Sequence, residues 1–286
     1  MAFEIPDHFN YSFTRNVELL LQENTPLLQM ACETRSFQGD KAQVVKQFGE
    51  VQFSTKDQRY SDTQFDEIDH KQRWLFPQSY KLALPIDSED ELRMLDSPQS
   101  MYVAAMQASW ARKVNEVIRD AALGTAQTGV TGGTSTAFDT TNQRIASSSV
   151  GLTIAKVRTA RRKLAEAYVD MTEPRFLIIK PKQMDDLLKT TEATDENYAD
   201  VKALVDGRVN RLLGFTVIEY NNLSQASSED RVIAMTKSAV VLGQWNNLTM
   251  RIGERADKDY LTQVHASGTL AATRTQEGKV VEILCA

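Results

Sequence analysis

Apolar residues recur at steps of three or four through Val103, Met106, Trp110, Val114, Val117 and Ala121, the spacing that lines one face of an α-helix. Asp96 and Ser97 ahead of them offer a cap, Pro98 suits the first helical position, and Gly124 stands where a left-handed residue often ends a helix. The pattern predicts a helix over 97–123, about 39 Å long and more than twice the usual length. A different period precedes it. Trp74, Phe76, Tyr80, Leu82, Leu84 and Ile86 all occupy even positions, the two-residue repeat of a strand with one apolar face. VVKQFGEVQFSTKD (44–57) also reads as extended, with Gly49 as a candidate bulge, and QRYSDTQFDEIDHKQ (58–72) reads as a polar tip. Residues 37–86 are therefore expected to form a long extended hairpin. Two strands alone are marginal in water, so the apolar face needs a partner, which a second chain would supply.

The flanking regions differ in character. Residues 1–36 hold a short helical piece, NVELLLQE (16–23), then Pro26 and LLQMACE; no long amphipathic pattern joins them, and the segment reads as an arm that must lean on something else. LTIAKVRTARRKLAEAYV (152–169) predicts a second amphipathic helix with Ile154, Val157, Leu164 and Tyr168 on one face. FLIIKP (176–181) reads as a buried strand ended by Pro181, KQMDDLLKT as a helix of about two turns, and GFTVIEY (214–220) and RVIAMT (231–236) as further core strands. Strand, helix, strand in that order predicts a central sheet with helices packed on it. From 239 onward AVVLGQW, LTMRIGE, YLTQVHASGTLAATRT and KVVEILCA read as strands, with ADKD and QEGK as turns.

The loop GTAQTGVTGGTSTAF (124–138) has the glycines of a phosphate-binding loop without its context. Gly124, Gly129, Gly132 and Gly133 fit no GxxxxGK[ST] frame, no lysine follows until Lys156, and a helix rather than a strand feeds it. It is expected to be a flexible connection between two substructures.

Composition narrows the classes further. The chain has 286 residues, 42% hydrophobic and 25% charged, with 33 Lys and Arg against 38 Asp and Glu for a net charge of −5. That balance argues against a dedicated nucleic-acid binder. Arg158, Arg161, Arg162 and Lys163 crowd one helix but are expected to be a solvated face or a subunit contact. Two cysteines, Cys32 and Cys285, exclude a disulfide framework and are too few for a thiolate zinc site; both are expected to be reduced. MAFEIPDHFNYSF is no secretory signal, and runs such as FLII and AVVL are too short to cross a bilayer. His8, His70 and His265 have no second ligand at a metal spacing, no GxSxG occurs, and Asp185-Asp186 and Glu229-Asp230 are expected in exposed places where no pKa splitting arises. No catalytic, cofactor-binding or metal site is expected, and no enzyme activity.

The order of elements is similar to that of the major capsid protein of tailed bacteriophages, with its Hong Kong 97-like fold. SAVVLGQWNNLTMRIGERADKDYLTQVHASGTLAATRTQEGKVVEI (238–283) resembles that family's closing segment: an entering strand, a charged turn, long strands, then a late arginine before the last strand. EVIRDAALGTAQTG (116–129) resembles its helix end running into a glycine-rich loop. The resemblance implies an α+β fold with an N-terminal arm (1–36), an extended hairpin or E-loop (37–86), a peripheral domain with a long spine helix and long strands (87–129 and 239–286), and an axial α/β domain (130–238). It implies a structural subunit that self-assembles as hexamers and pentamers into an icosahedral shell around double-stranded DNA. Its partners would be copies of itself, a portal protein, packaged DNA held without sequence-specific contacts, and possible additions in a separate scaffolding protein and decoration or cement proteins; no membrane is implied. Met1 lies close to the arm, which implies a separate scaffolding protein or none. The location would be the virion, after assembly in the bacterial host cytoplasm. For the Lys–Asn cross-link of one branch, Lys56 and Lys71 are candidates only by position. The alternatives are an encapsulin-like nanocompartment shell and a soluble α/β enzyme with a dispersed site.

Overall fold

The structure, a computed structural model, describes residues 23–53, 55, 59, 65, 67–86, 98–189, 211–258 and 260–286, without the side chains of 98–100. The expected helical piece at 16–23, the cap residues Asp96 and Ser97, His8 and Lys56 lie outside the described residues, Glu23 excepted. The first strands are β1 (Glu33–Ser36), β2 (Ala42–Phe48), β3 (His70–Leu75) and β4 (Gln78–Ile86), followed by helix α1 (Pro98–Leu123). Next come β5 (Ala126–Thr128), β6 (Thr134–Thr136), β7 (Arg144–Ile145), α2 (Ile154–Glu166), β8 (Arg175–Ile179) and α3 (Pro181–Lys189). The chain closes with β9 (Arg211–Leu212), β10 (Phe215–Glu219), β11 (Gln225–Ala226), β12 (Glu229–Thr236), β13 (Val240–Arg255), β14 (Leu261–Arg274) and β15 (Val280–Cys285).

Three sheets result. One has the order β1-β13-β14-β4, a second β7-β15-β12-β8-β10-β9 with β11 on β12, and the third β2-β3-β5-β6. The seven-stranded sheet is covered on both faces, which is why β8 is buried at every position. Phe176, Ile178, Ile218, Ile233 and Met235 face Val114, Ile118 and Ala122 of α1 and the arm residues Leu28 and Ala31. The alternate residues Leu177, Ile179, Val232 and Ala234 face Val157, Ala160 and Leu164 of α2 and Met184 and Leu187 of α3. The other half of α1 lies on the four-stranded sheet, with Met106 against Ile86, Val264 and Ala266. One helix therefore spans two sheets, and its length follows from that.

The arm leans on α1 through Asn115, which is fully buried. Its amide oxygen accepts the Leu28 N–H at 3.0 Å and its nitrogen donates to the Thr25 carbonyl at 3.2 Å and to Glu23. β1 then runs parallel to β13.

Several sequence expectations are corrected. The even-numbered apolar run divides at Phe76-Pro77, because β3 belongs to the hairpin sheet and β4 pairs β14 in another. The bulge sits between Gln43 and Val45, while the Gly49 N–H continues the hairpin by donating to the Asp69 carbonyl at 2.7 Å. Gly124 is not left-handed; it is small because a Cβ there would overlap the Asp120 carbonyl. Tyr168 falls beyond α2, at φ 55, and is exposed. β13 is one strand of 16 residues with register irregularities between Gln244 and Thr249. The glycine-rich loop is a β-hairpin, β5–β6, whose first strand pairs β3.

Asp230 is also corrected: it is buried rather than exposed. Lys180 Nζ donates to it at 2.5 Å, Gln183 at 2.9 Å and Gln225 at 3.0 Å. Burial pushes its carboxyl up, but the combined bonds from Lys180, Gln225 and Gln183 outweigh burial and hold it down at about 2. Its folded pKa lies below the unfolded value of 3.8, so its contribution is present above that value and disappears as pH falls toward 2. Asp230→Asn leaves the half-buried Lys180 without its counter-charge and should lose about 3 kcal/mol at neutral pH, read from the midpoint of chemical unfolding. The variant's stability should also fall less than the wild type's between pH 4 and pH 2; an equal fall in both would contradict this assignment.

Candidate assembly interface

The base of the β2–β3 hairpin is fixed by a buried cluster of charges. Arg73 on β3 donates through Nε to the Thr275 carbonyl at 3.0 Å and through Nη2 to Glu277 at 3.1 Å. Arg274, fully buried, donates through Nε to the same Glu277 at 2.8 Å. Its Nη1 caps the end of α1, donating to the carbonyls of Gly124 at 2.7 Å and Ala122 at 3.1 Å. A cation is favourable there because the last helical carbonyls carry partial negative charge. The guanidinium also lies 5.2 Å from the centroid of the Phe138 ring. Burial pulls Arg73 below the usual arginine range, Glu277 opposes that pull, and Arg274 adds to it. Gln47 on β2 donates to the Thr275 carbonyl at 2.5 Å, so both hairpin strands bind one turn. Arg274 is the late arginine singled out in the sequence; Arg73 and Glu277 carried no local signal.

The glycine-rich hairpin grips the same base from the other side. Trp74 Nε1 donates to the Gly129 carbonyl at 2.7 Å, and Lys41 donates to the Thr131 carbonyl at 3.2 Å with its ammonium 4.9 Å from the Trp74 ring centre. Gly132 has φ +82, and a Cβ there would lie 2.8 Å from Phe76; any side chain would push the aromatic pair away.

Beyond this base the hairpin is left open. Phe53 and Phe65 are fully or almost fully exposed, at 108% and 92%, and Phe48, Val51 and Ile68 are exposed as well. The Phe48 and His70 rings meet edge to face, at 5.1 Å between ring centres. Lys71 pairs with Asp69 at 3.2 Å, both in solvent, a contact worth little. Large apolar side chains exposed close together along one hairpin are the kind of surface that protein contacts use.

Among the described residues the clefts bring no catalytic arrangement together. A cleft of about 400 Å³ between α1 and the four-stranded sheet is lined by Tyr80, Leu82, Met106, Trp110, Lys113 and Leu248. Its Lys113 donates to Glu116 at 2.8 Å and lies 4.9 Å from the centre of the Tyr80 ring, an ordinary snorkelling arrangement. His265 is half-buried on β14 and His70 is exposed. Asp185 pairs with Lys189 at 2.5 Å in solvent. Burial pushes the Cys32 thiol up to about 12 and that of Cys285 to about 11, and both are free and buried, which makes them inert. Among the described residues no group of His, Cys, Asp and Glu is placed to hold a metal ion, and no helix is long and apolar enough to cross a membrane. Arg158, Arg161 and Arg162 are exposed, with Arg162 3.4 Å from Glu166.

Glu277 is the single acid between two buried guanidiniums. Glu277→Gln should therefore destabilise the subunit by about 3 kcal/mol, read from chemical unfolding. Hydrogen exchange should rise in β2 and β3 before it rises in β8 or β12; a uniform rise, or none, would contradict the anchoring role.

Comparison with known proteins agrees with this geometry. No curated protein sequence matches the chain. Among solved structures, the capsid of cyanophage P-SCSP1u superposes with a TM-score of 0.75 at 15% identity, over 98% of this chain and 94% of that one. The capsid of cyanophage Pam1 gives 0.76 at 11% identity, over 99% and 98%. The capsid of a native GTA particle, computed with C5 symmetry, gives 0.69 at 12% identity, over 98% and 96%. The fold is the Hong Kong 97-like capsid fold. The family model described as phage capsid protein matches residues 5–286. The chain belongs to the phage capsid protein family and is a major capsid protein, a structural subunit of the shell.

Proposed function

We propose that the subunit closes its shell by laying the β2–β3 hairpin over a neighbouring copy, and that hexamers and pentamers joined in this way form an icosahedral container for the double-stranded DNA of a tailed phage. The observation that carries this reading is the open apolar tip on a rigidly anchored base. Ordering two strands costs chain entropy, and a tip built from Phe53, Phe65, Val51 and Ile68 regains it only where another surface covers those side chains. A contact between unlike surfaces of identical subunits makes rings when its rotation closes. Several such contacts per subunit give the completed assembly strong avidity.

In this reading 1–36 is the arm and 37–86 the hairpin. Residues 87–129 and 239–286 form the peripheral domain, with α1 as its spine, and 130–238 form the axial domain, whose loops meet at the ring axes. β15 lies within 239–286 yet is hydrogen-bonded between β12 and β7, so the two domains share a sheet. The subunit works without catalysis, in the virion, after assembly in the host cytoplasm. A portal protein and packaged DNA, contacted without sequence preference, complete its surroundings. A net charge of −5 suits a wall that must not trap the DNA it encloses; a strongly basic inner wall would contradict this.

The test is Phe53→Asp combined with Phe65→Asp. Both side chains are in solvent, so subunit stability should change by no more than about 0.5 kcal/mol. Closed shells and rings should disappear from sedimentation velocity and negative-stain images of the expressed protein. Wild-type yields of shells from the double variant would overturn the reading, as would a wild type that stays a monomer or dimer at every concentration.

A further inference from the structure

Lys156 stands in the first turn of α2, under the loop that leads into the helix. Its Nζ donates to four backbone carbonyls: Val150 at 2.6 Å, Ser147 at 2.8 Å, Gly151 at 2.9 Å and Leu284 at 3.0 Å. Three of these belong to one turn and the fourth to the last strand. An ammonium has three N–H groups, so one is shared. Carbonyl oxygens that replace water around a single positive charge are how proteins select monovalent cations.

The turn itself is strained. Ser148 and Ser149 sit at φ 50 and 56, a region that costs free energy for residues other than glycine, and the Val150 N–H closes the turn on the Ser147 carbonyl at 3.0 Å. Converging carbonyl dipoles repel one another unless a cation lies among them. The surroundings tie this turn to the chain end. The Ala286 N–H donates to the Val150 carbonyl at 3.3 Å, and Lys182 donates to the Ala286 carbonyl at 3.0 Å. Ser147 Oγ donates to Glu229. Gly151 is so close to Asp186 on α3 that a Cβ would overlap the carboxylate. Burial holds the Lys156 ammonium below the usual lysine range, and the nearby Cys285, Glu229 and Asp186 oppose that pull. All of this lies at the end of the seven-stranded sheet where β12 begins and β15 finishes, opposite the end from which the chain passes into β13.

We infer that Ser147, Val150, Gly151 and Leu284 form a monovalent-cation cage whose built-in occupant is the Lys156 ammonium, and that this occupant locks the end of the seven-stranded sheet remote from β13. The lock joins the strained turn, the start of α2 and the chain end into one unit. Removing the side chain leaves a cage for a small inorganic cation.

The experiment compares unassembled wild type with Lys156→Ala and Lys156→Met in ammonium, potassium, sodium and choline chloride at equal ionic strength. Hydrogen exchange is followed by mass spectrometry over 143–152 and 280–286. The wild type should be protected equally in all four salts. Lys156→Ala should exchange about tenfold faster in choline. Ammonium or potassium should restore most of that protection and raise its Tm by about 2 °C over choline. Lys156→Met fills the space with an apolar group and should stay unprotected in every salt. Unchanged exchange in Lys156→Ala, or loss that is equal in all four salts, overturns the inference. If neither variant folds, acetylation of native wild type decides: Lys156 should react about tenfold more slowly than the exposed Lys46 and Lys81, and equal rates overturn it. None of these readouts depends on shells, so failure of the assembly reading would leave the cage tested in its own right.

Discussion

Glu277 lying between Arg73 and Arg274 is the contact on which the rest of the subunit depends. It ties three parts of the chain that are far apart in sequence: the hairpin strand β3, the end of α1 and the turn before the last strand. Buried ion pairs are poor stabilisers compared with apolar packing, because both charges must leave water. Their value here is directional. A hydrophobic contact at the hairpin base would tolerate a range of angles, whereas two guanidiniums sharing one carboxylate, with Thr275 held between Gln47 and Arg73, accept only one.

Direction matters because, among the described residues, nothing covers Phe53 and Phe65 at the far end of the hairpin. Its base is clamped by Trp74, Lys41 and the Gly129–Gly133 turn, while its far end leaves Phe53 and Phe65 in solvent. The remaining architecture follows the same division. The seven-stranded sheet buries both faces and needs nothing from outside, with α1 and the arm on one side and α2 and α3 on the other. A rigid body carrying an open extension suits the proposed contact, in which the body would form the wall and the extension would span the joint.

The sequence revealed the elements whose residues speak locally. The helix pattern from Val103 to Ala121 placed α1 to within a residue at its start, although the fully buried line runs through Asn115, Ile118 and Ala122, one step around the helix. Short runs rich in apolar and β-branched residues located β8 and β10, and Pro181 marked the change from strand to helix. What stayed hidden depends on pairing across distance. β5 and β6 have three residues each and form because β3 offers an edge, so their threonines and glycines read as a loop. The break at Phe76-Pro77 is set by two sheets competing for one run of alternating residues. Asp230 follows Ser227, Ser228 and Glu229 and reads as surface, but it begins a strand that points it at Lys180 and Gln183. Arg73 and Glu277 are 204 residues apart, and no local pattern joins them.

The central claim is that the anchored hairpin reaches across to another subunit. A three-dimensional image reconstruction of shells formed by the wild-type chain tests it most directly. Residues 49–69 should lie against a neighbouring copy, with Phe53 and Phe65 covered and the Arg73–Glu277–Arg274 contact intact. Closed shells in which this segment projects into solvent, or folds back on its own subunit, would contradict it.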